Sequence, residues 1–88
     1  MIQIIGDEFF HSQNYPSAIM KYTEAIKVDG TRAVLYSNRS ACYCELHQYS
    51  KASDDGKKCM EVDGRFAKGY YRYAKAQLHL GRQDEAMK

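Results

Sequence analysis

Eighty-eight residues allow one small domain, and one proline with six glycines leaves little room for linker or low-complexity tract. The composition, 44% hydrophobic and 27% charged, is that of an ordinary folded chain, and no apolar run approaches the ~20 residues of a membrane span. A net charge of +2 is too small to argue for nucleic acid without a basic patch.

The first element reads as a helix from Ile4 to Gln13, with Ile5, Phe9 and Phe10 as apolar anchors. Asn14 is placed to cap the next helix, and Pro16 sits in its first turn, where proline is tolerated. That second helix carries Ala18, Ile19, Tyr22, Ala25 and Ile26 at the helical period. Asp29-Gly30 ends it, glycine offering a left-handed exit. A third helix runs from about Arg32 to Leu46, with Leu35, Tyr36, Arg39 (through its aliphatic stem), Cys42, Tyr43 and Leu46 inward. The fourth runs from Tyr49 to Asp63-Gly64, with Ala52, Cys59 and Val62 inward. A fifth, near Phe66 to Leu80, offers Ala67, Tyr70, Tyr71, Ala74 and Leu78. Gly81 is expected to break it, and Gln83 to Lys88 opens a sixth helix too short to hold in isolation.

These elements repeat. Gly30 returns as Gly64 and Asp29 as Asp63; Tyr15 and Ala18 return as Tyr49 and Ala52, then as Gln83 and Ala86. The shift is 34 residues each time, the length of one helix–turn–helix unit in a stacked array. The fold expected is all-α: a right-handed superhelical stack of antiparallel helix pairs, in units of about 1–32, 33–66 and 67–88, with the last helix truncated. Ala18, Ala52 and Ala86 fall where two helices must approach closely, and Tyr15 and Tyr49 fill the wider gap beside them. Gly56 stands one period after Tyr22, so the second unit lacks an aromatic wedge there and carries a helix-propensity cost near ~1 kcal/mol. The fifth helix keeps part of its apolar face bare, which leaves either further chain or self-association at the C-terminal end to cover it.

The pattern resembles the tetratricopeptide repeat. The residues that carry the likeness are Gly6, Phe9, Tyr15, Ala18, Tyr22 and Ala25 in the first unit. Tyr43, Tyr49, Ala52 and Cys59 follow in the second, and Ala74, Leu78 and Ala86 in the third. The stretches Leu35 to Tyr43 and Ala67 to Ala74 narrow the resemblance to the stress-inducible, chaperone-organising co-chaperones. That resemblance implies a module that docks the C-terminal EEVD tail of a heat-shock seventy or heat-shock ninety class chaperone. It also implies a clamp of five side chains around the tail's carboxylates. Asn38, Lys68 and Arg72 fall on three clamp positions; Gln3 replaces a lysine and Asp7 an asparagine.

The residues support this independently. Lys68 and Arg72 are four apart and share a helix face, Asn38 lies on the preceding helix of the same type, and arginine offers a donor fork that matches a carboxylate. Capture of a terminal carboxylate is a recognised mode of peptide binding. Lys68 and Arg72 also read as plain solvated charges, and Asn38 as a local cap. Asp7 reads either as a partner of the basic pair, repelling an incoming carboxylate, or as an exposed acid of the first helix. Phe10, Tyr36, Tyr70 and Tyr71 are candidate groove-lining residues, although helix packing accounts for most tyrosines here. A scaffold repeat that binds a different protein segment is the alternative function.

Other chemistries find little support. His11, His47 and His79 have no metal-ligand spacing, and no nucleophile–base set or phosphate loop suggests an enzyme or a cofactor. Cys42, Cys44 and Cys59 form no CxxC pair; two read as core fillers and Cys44 as an exposed candidate. With no signal-like start, since Asp7 and Glu8 follow the apolar opening, the setting expected is cytoplasmic or also nuclear, away from membrane and nucleic acid.

Overall fold

A computed structural model describes residues 2–87, and the side-chain surroundings of 3–81. Five helices follow in chain order: α1 Ile2–His11, α2 Tyr15–Val28, α3 Ala33–Glu45, α4 Tyr49–Val62 and α5 Ala67–Met87. Each packs on its neighbour in the chain, and α3 also touches α5, so alternate helices begin to line a common wall. The result is an elongated stack of helix pairs, 45 × 28 × 18 Å.

The close approaches fall where the repeat puts small residues. Ala18 and Ala52 are fully buried, each in its own apolar cluster. Ser40, one period after Gly6, donates its hydroxyl to the Ala52 carbonyl at 2.8 Å, a contact only small side chains allow. Gly6 faces the Tyr22 ring so closely that a methyl group there would stand 2.7 Å from it. In the second unit the wedge is exchanged. Gly56 gives its space to α5, and an added Cβ would meet the Tyr73 backbone nitrogen at 2.7 Å. The aromatic missing at position 56 is thus traded for a closer seat of the next helix.

The turns are built differently from the sequence expectation. Within units the chain reverses at Gln13 and His47, one period apart, with φ of 64° and 58°. Each closes a Schellman motif: the Asn14 amide donates to the Phe9 carbonyl at 2.8 Å, and the Gln48 amide to the Tyr43 carbonyl at 2.8 Å. Between units no glycine takes a positive φ. Instead Asp29 and Asp63 turn extended (φ −151° and −147°) and accept the amides of Thr31 and Arg65, both at 3.0 Å. Gly30 and Gly64 supply room and a carbonyl. The hydroxyls of Tyr36 and Tyr70 donate to those carbonyls at 2.9 and 2.8 Å.

The expected break at Gly81 and the separate helix from Gln83 are corrected by α5, which runs unbroken to Met87. A glycine permits a reversal without enforcing one. The first two reversals are held by Tyr15 and Tyr49, which pack on the core, whereas the third unit has Gln83 at that position. Continuing the helix costs only ~1 kcal/mol relative to alanine. The packing expected of Ala86 lies outside the described side chains. On α5, Tyr71 and Leu78 are 56% and 55% exposed, although their counterparts one period earlier, Ser37 and Cys44, are buried. Ile5, expected as an anchor, faces outward at 41% exposure, because Phe9 and Phe10 already fill the space against α2.

All three cysteines are buried, including Cys44, which the sequence left as an exposed candidate. Burial pushes the Cys42 thiol up to about 12 and raises the other two. A thiol reagent at mildly alkaline pH is therefore expected to label the native protein slowly at every cysteine and all three sites quickly in denaturant. Rapid labelling of one thiol in the native state would contradict this packing.

Candidate functional site

Helices α1, α3 and α5 carry the residues that meet in one cleft of about 340 Å³. Gln3, Asp7 and Phe10 come from α1, Asn38 and Val34 from α3, and Lys68 and Arg72 from α5. All five positions singled out in the sequence thus share one concavity. His11, Tyr22 and Ala41 complete its lining, and the clamp pattern includes none of them.

The cleft is electrically mixed. Of the two readings of Asp7, the pairing with Lys68 or Arg72 is not found: among the described residues it forms no ion pair with either. Its Oδ1 accepts from the Tyr22 hydroxyl and, at a long 3.4 Å, from the Asn38 amide nitrogen. α1 packs on α2, which carries Tyr22, and Asn38 shares the cleft lining with Asp7. Burial, then the bond to Asp7, keeps Tyr22 protonated and far above its ordinary pKa, so the phenol remains a donor. The period carries no signal of this pairing, because Gly56, the counterpart of Tyr22, has no hydroxyl.

Lys68 is exposed at the cleft and Arg72 is half-buried. The Arg72 guanidinium rests over the Tyr71 ring, 5.2 Å from its centroid. Its Nε is buried with no hydrogen-bond partner in the protein. A buried, unanswered donor on a cation is costly, and a bound acceptor would relieve it. Two cations, one of them with an unpartnered donor, and an amide therefore make the cleft chemically suited to a carboxylate.

Phe10 lies on the cleft wall. The other three candidate lining residues lie elsewhere. Tyr36 is buried in the core with Ala33 and Cys59, and Tyr70 ties down the turn at Gly64. Tyr71 faces outward beneath Arg72 and Lys75. Of the histidines, His47 bonds the Tyr49 hydroxyl at 2.6 Å and His79 stacks on the same ring at 4.4 Å. Among the described residues no group of three His, Cys, Asp or Glu could hold a metal. No helix there is long and apolar enough to cross a membrane.

The second tetratricopeptide-repeat domain of Spaghetti (RPAP3), solved with the HSP90 peptide SRMEEVD, superposes with a TM-score of 0.89 at 32% identity, over 98% of this chain and 80% of that one. The chain belongs to the tetratricopeptide-repeat family. The TPR2B domain of yeast Sti1, solved as a complex with an Hsp70 peptide, matches this tetratricopeptide-repeat domain with a TM-score of 0.89 and 34% identity, over 97% and 68% of the two chains. Hsp70-Hsp90 organizing protein 2 of Arabidopsis thaliana is 43% identical over 82 residues, 93% of this chain. Heat shock protein STI1 of Saccharomyces cerevisiae is 44% identical over 82 residues, 92% of this chain. The chain spans 14% of the length of each of these two curated relatives. No family model matches it.

Proposed function

We propose that this tetratricopeptide-repeat domain is a co-chaperone adaptor that docks the acidic EEVD-type tail of an Hsp70- or Hsp90-class chaperone through a partial carboxylate clamp. The observation that carries the reading is the shared cleft of Asn38, Lys68 and Arg72, with the Arg72 Nε buried and unpartnered. Relatives and neighbours whose names include Hsp70, Hsp90 or an EEVD peptide support it. A cytoplasmic setting follows from that role. Lys68 and Arg72 attract the tail's carboxylates, and Asn38 offers an amide.

Asp7 sets the limit on affinity. Both protein donors reach its Oδ1, so Asp7→Asn keeps an acceptor for both bonds and removes a negative charge from the cleft lining. Titration with a peptide ending in EEVD is expected to show Asp7→Asn binding about tenfold tighter than the parent, and Lys68→Ala or Arg72→Ala about tenfold weaker. Amidating the peptide's C-terminus should weaken binding to the parent. Equal affinity for acid and amide, with Lys68→Ala neutral, would refute the docking reading. The carboxylate of Asp7 inside the cleft favours the second reading, a scaffold repeat that takes a less acidic segment; tighter binding of such a segment by the parent than by Asp7→Asn would support it.

A further inference from the structure

We propose that Arg32 is a third cation of the cleft, positioned by Gln3; this rests on the docking reading above. Arg32 is the cap residue of α3, with an extended backbone and no side-chain capping bond of its own. Its side chain instead reaches α1, where Nη2 donates to the Gln3 Oε1 across 29 residues of sequence. Gln3 lines the cleft, so the bond holds a guanidinium beside a residue of the cleft wall, from a position that the clamp pattern does not include. Glutamine at position 3 has no charge, but its acceptor oxygen recruits one; a lysine there has no acceptor and would repel Arg32.

The nearest acid along the chain does not compete. Asp29 turns its Oδ1 to the amide and hydroxyl of Thr31, at 3.0 and 2.5 Å. Those bonds hold its carboxyl below the usual range, and Arg32 adds only a smaller pull. Among the described residues Arg32 makes no ion pair. A guanidinium has five donors, and one bond to Gln3 leaves the rest of the fork for a ligand.

Charge decides why this matters. Lys68 and Arg72 against Asp7 leave the carboxyl-binding wall with one net positive charge. Arg32 raises it to two. A tail ending in two glutamates, a valine and an aspartate brings several negative charges, so the second net charge supplies both attraction and steering. The pair Gln3 and Arg32 thereby restores, from another helix, the cation lost at position 3.

The test is calorimetric titration with an EEVD-ending peptide at low salt, using Arg32→Ala, Gln3→Lys, the double variant and Lys68→Ala. Arg32 is exposed, so its removal leaves the fold intact. Arg32→Ala is expected to weaken binding about fivefold, less at high salt. In the Gln3→Lys background the same change is expected to have almost no effect, because lysine now meets the tail and no longer holds Arg32. If Arg32→Ala binds like the parent while Lys68→Ala is weakened, the docking reading stands and the role of Arg32 is overturned. If the loss persists undiminished in the Gln3→Lys background, positioning by Gln3 is overturned. If Lys68→Ala is neutral or the parent does not bind, the docking reading falls, and this inference with it.

Discussion

Gly56→Ala is expected to destabilise the domain by about 2 kcal/mol, even though alanine is the better helix former by ~1 kcal/mol. The new methyl would stand 2.7 Å from the Tyr73 backbone nitrogen and 2.8 Å from its Cα. Backbone cannot rotate out of the way as a side-chain tip can, so α5 must move off α4. Overpacking of this kind costs up to about 3 kcal/mol, which outweighs the propensity gain. In a domain of this size the net loss lowers Tm by about 10 °C, measurable by circular dichroism on heating. Gly81→Ala is the control. A methyl there meets nothing within 4 Å, so the same exchange should stabilise the helix by up to ~1 kcal/mol. A Gly56→Ala protein as stable as the parent would mean that α4 and α5 do not sit this close. The change also reaches function: Lys68 and Arg72 ride on α5, so displacing it should weaken binding at the cleft.

The sequence discloses the spacing of the fold better than its partnerships. The 34-residue shift places Ala18 and Ala52 at the helix crossings, and Asn14 caps α2 by accepting the Ser17 amide. Both follow from period and local chemistry. Gly56 was opaque because its reason lies on another helix, in the backbone of Tyr73. Tyr36 and Tyr70 looked like groove aromatics, but their hydroxyls reach six residues back to the carbonyls of Gly30 and Gly64. Periodicity gives a side chain's place along a helix; it does not give the length at which its polar tip finds a partner. The same limit applies to the cleft. Spacing brought Asn38, Lys68 and Arg72 to one wall, whereas the link from Arg32 to Gln3 spans two turns of chain and has no spacing signature.

The largest loss is expected from Arg39→Ala. The sequence placed Arg39 inward through its stem alone, but the guanidinium is the greater commitment. Its Nε and Nη2 donate to Asp55 at 2.7 Å each, and Nη1 donates to the Thr23 hydroxyl at 3.1 Å, tying α3 to both α2 and α4. The Asp55 side chain is only 7% exposed. Removing the arginine leaves that carboxylate buried without a cation, which costs about 3–5 kcal/mol and threatens the whole stability of a small domain. Burial pushes the Asp55 carboxyl up, more than Arg39 pulls it down, and loss of Arg39 removes the opposing pull. A raised folded-state pKa means that protonation favours the fold. The deficit of Arg39→Ala should therefore be smallest below the unfolded-state value near ~4, and should grow as pH rises through the folded-state value. Denaturant unfolding of Arg39→Ala, Asp55→Ala and the double variant across pH checks this. The double variant is expected to lose less than the sum of the two single variants, because the stranded charge is gone. Strictly additive losses, independent of pH, would show that the bidentate pair does not form in solution.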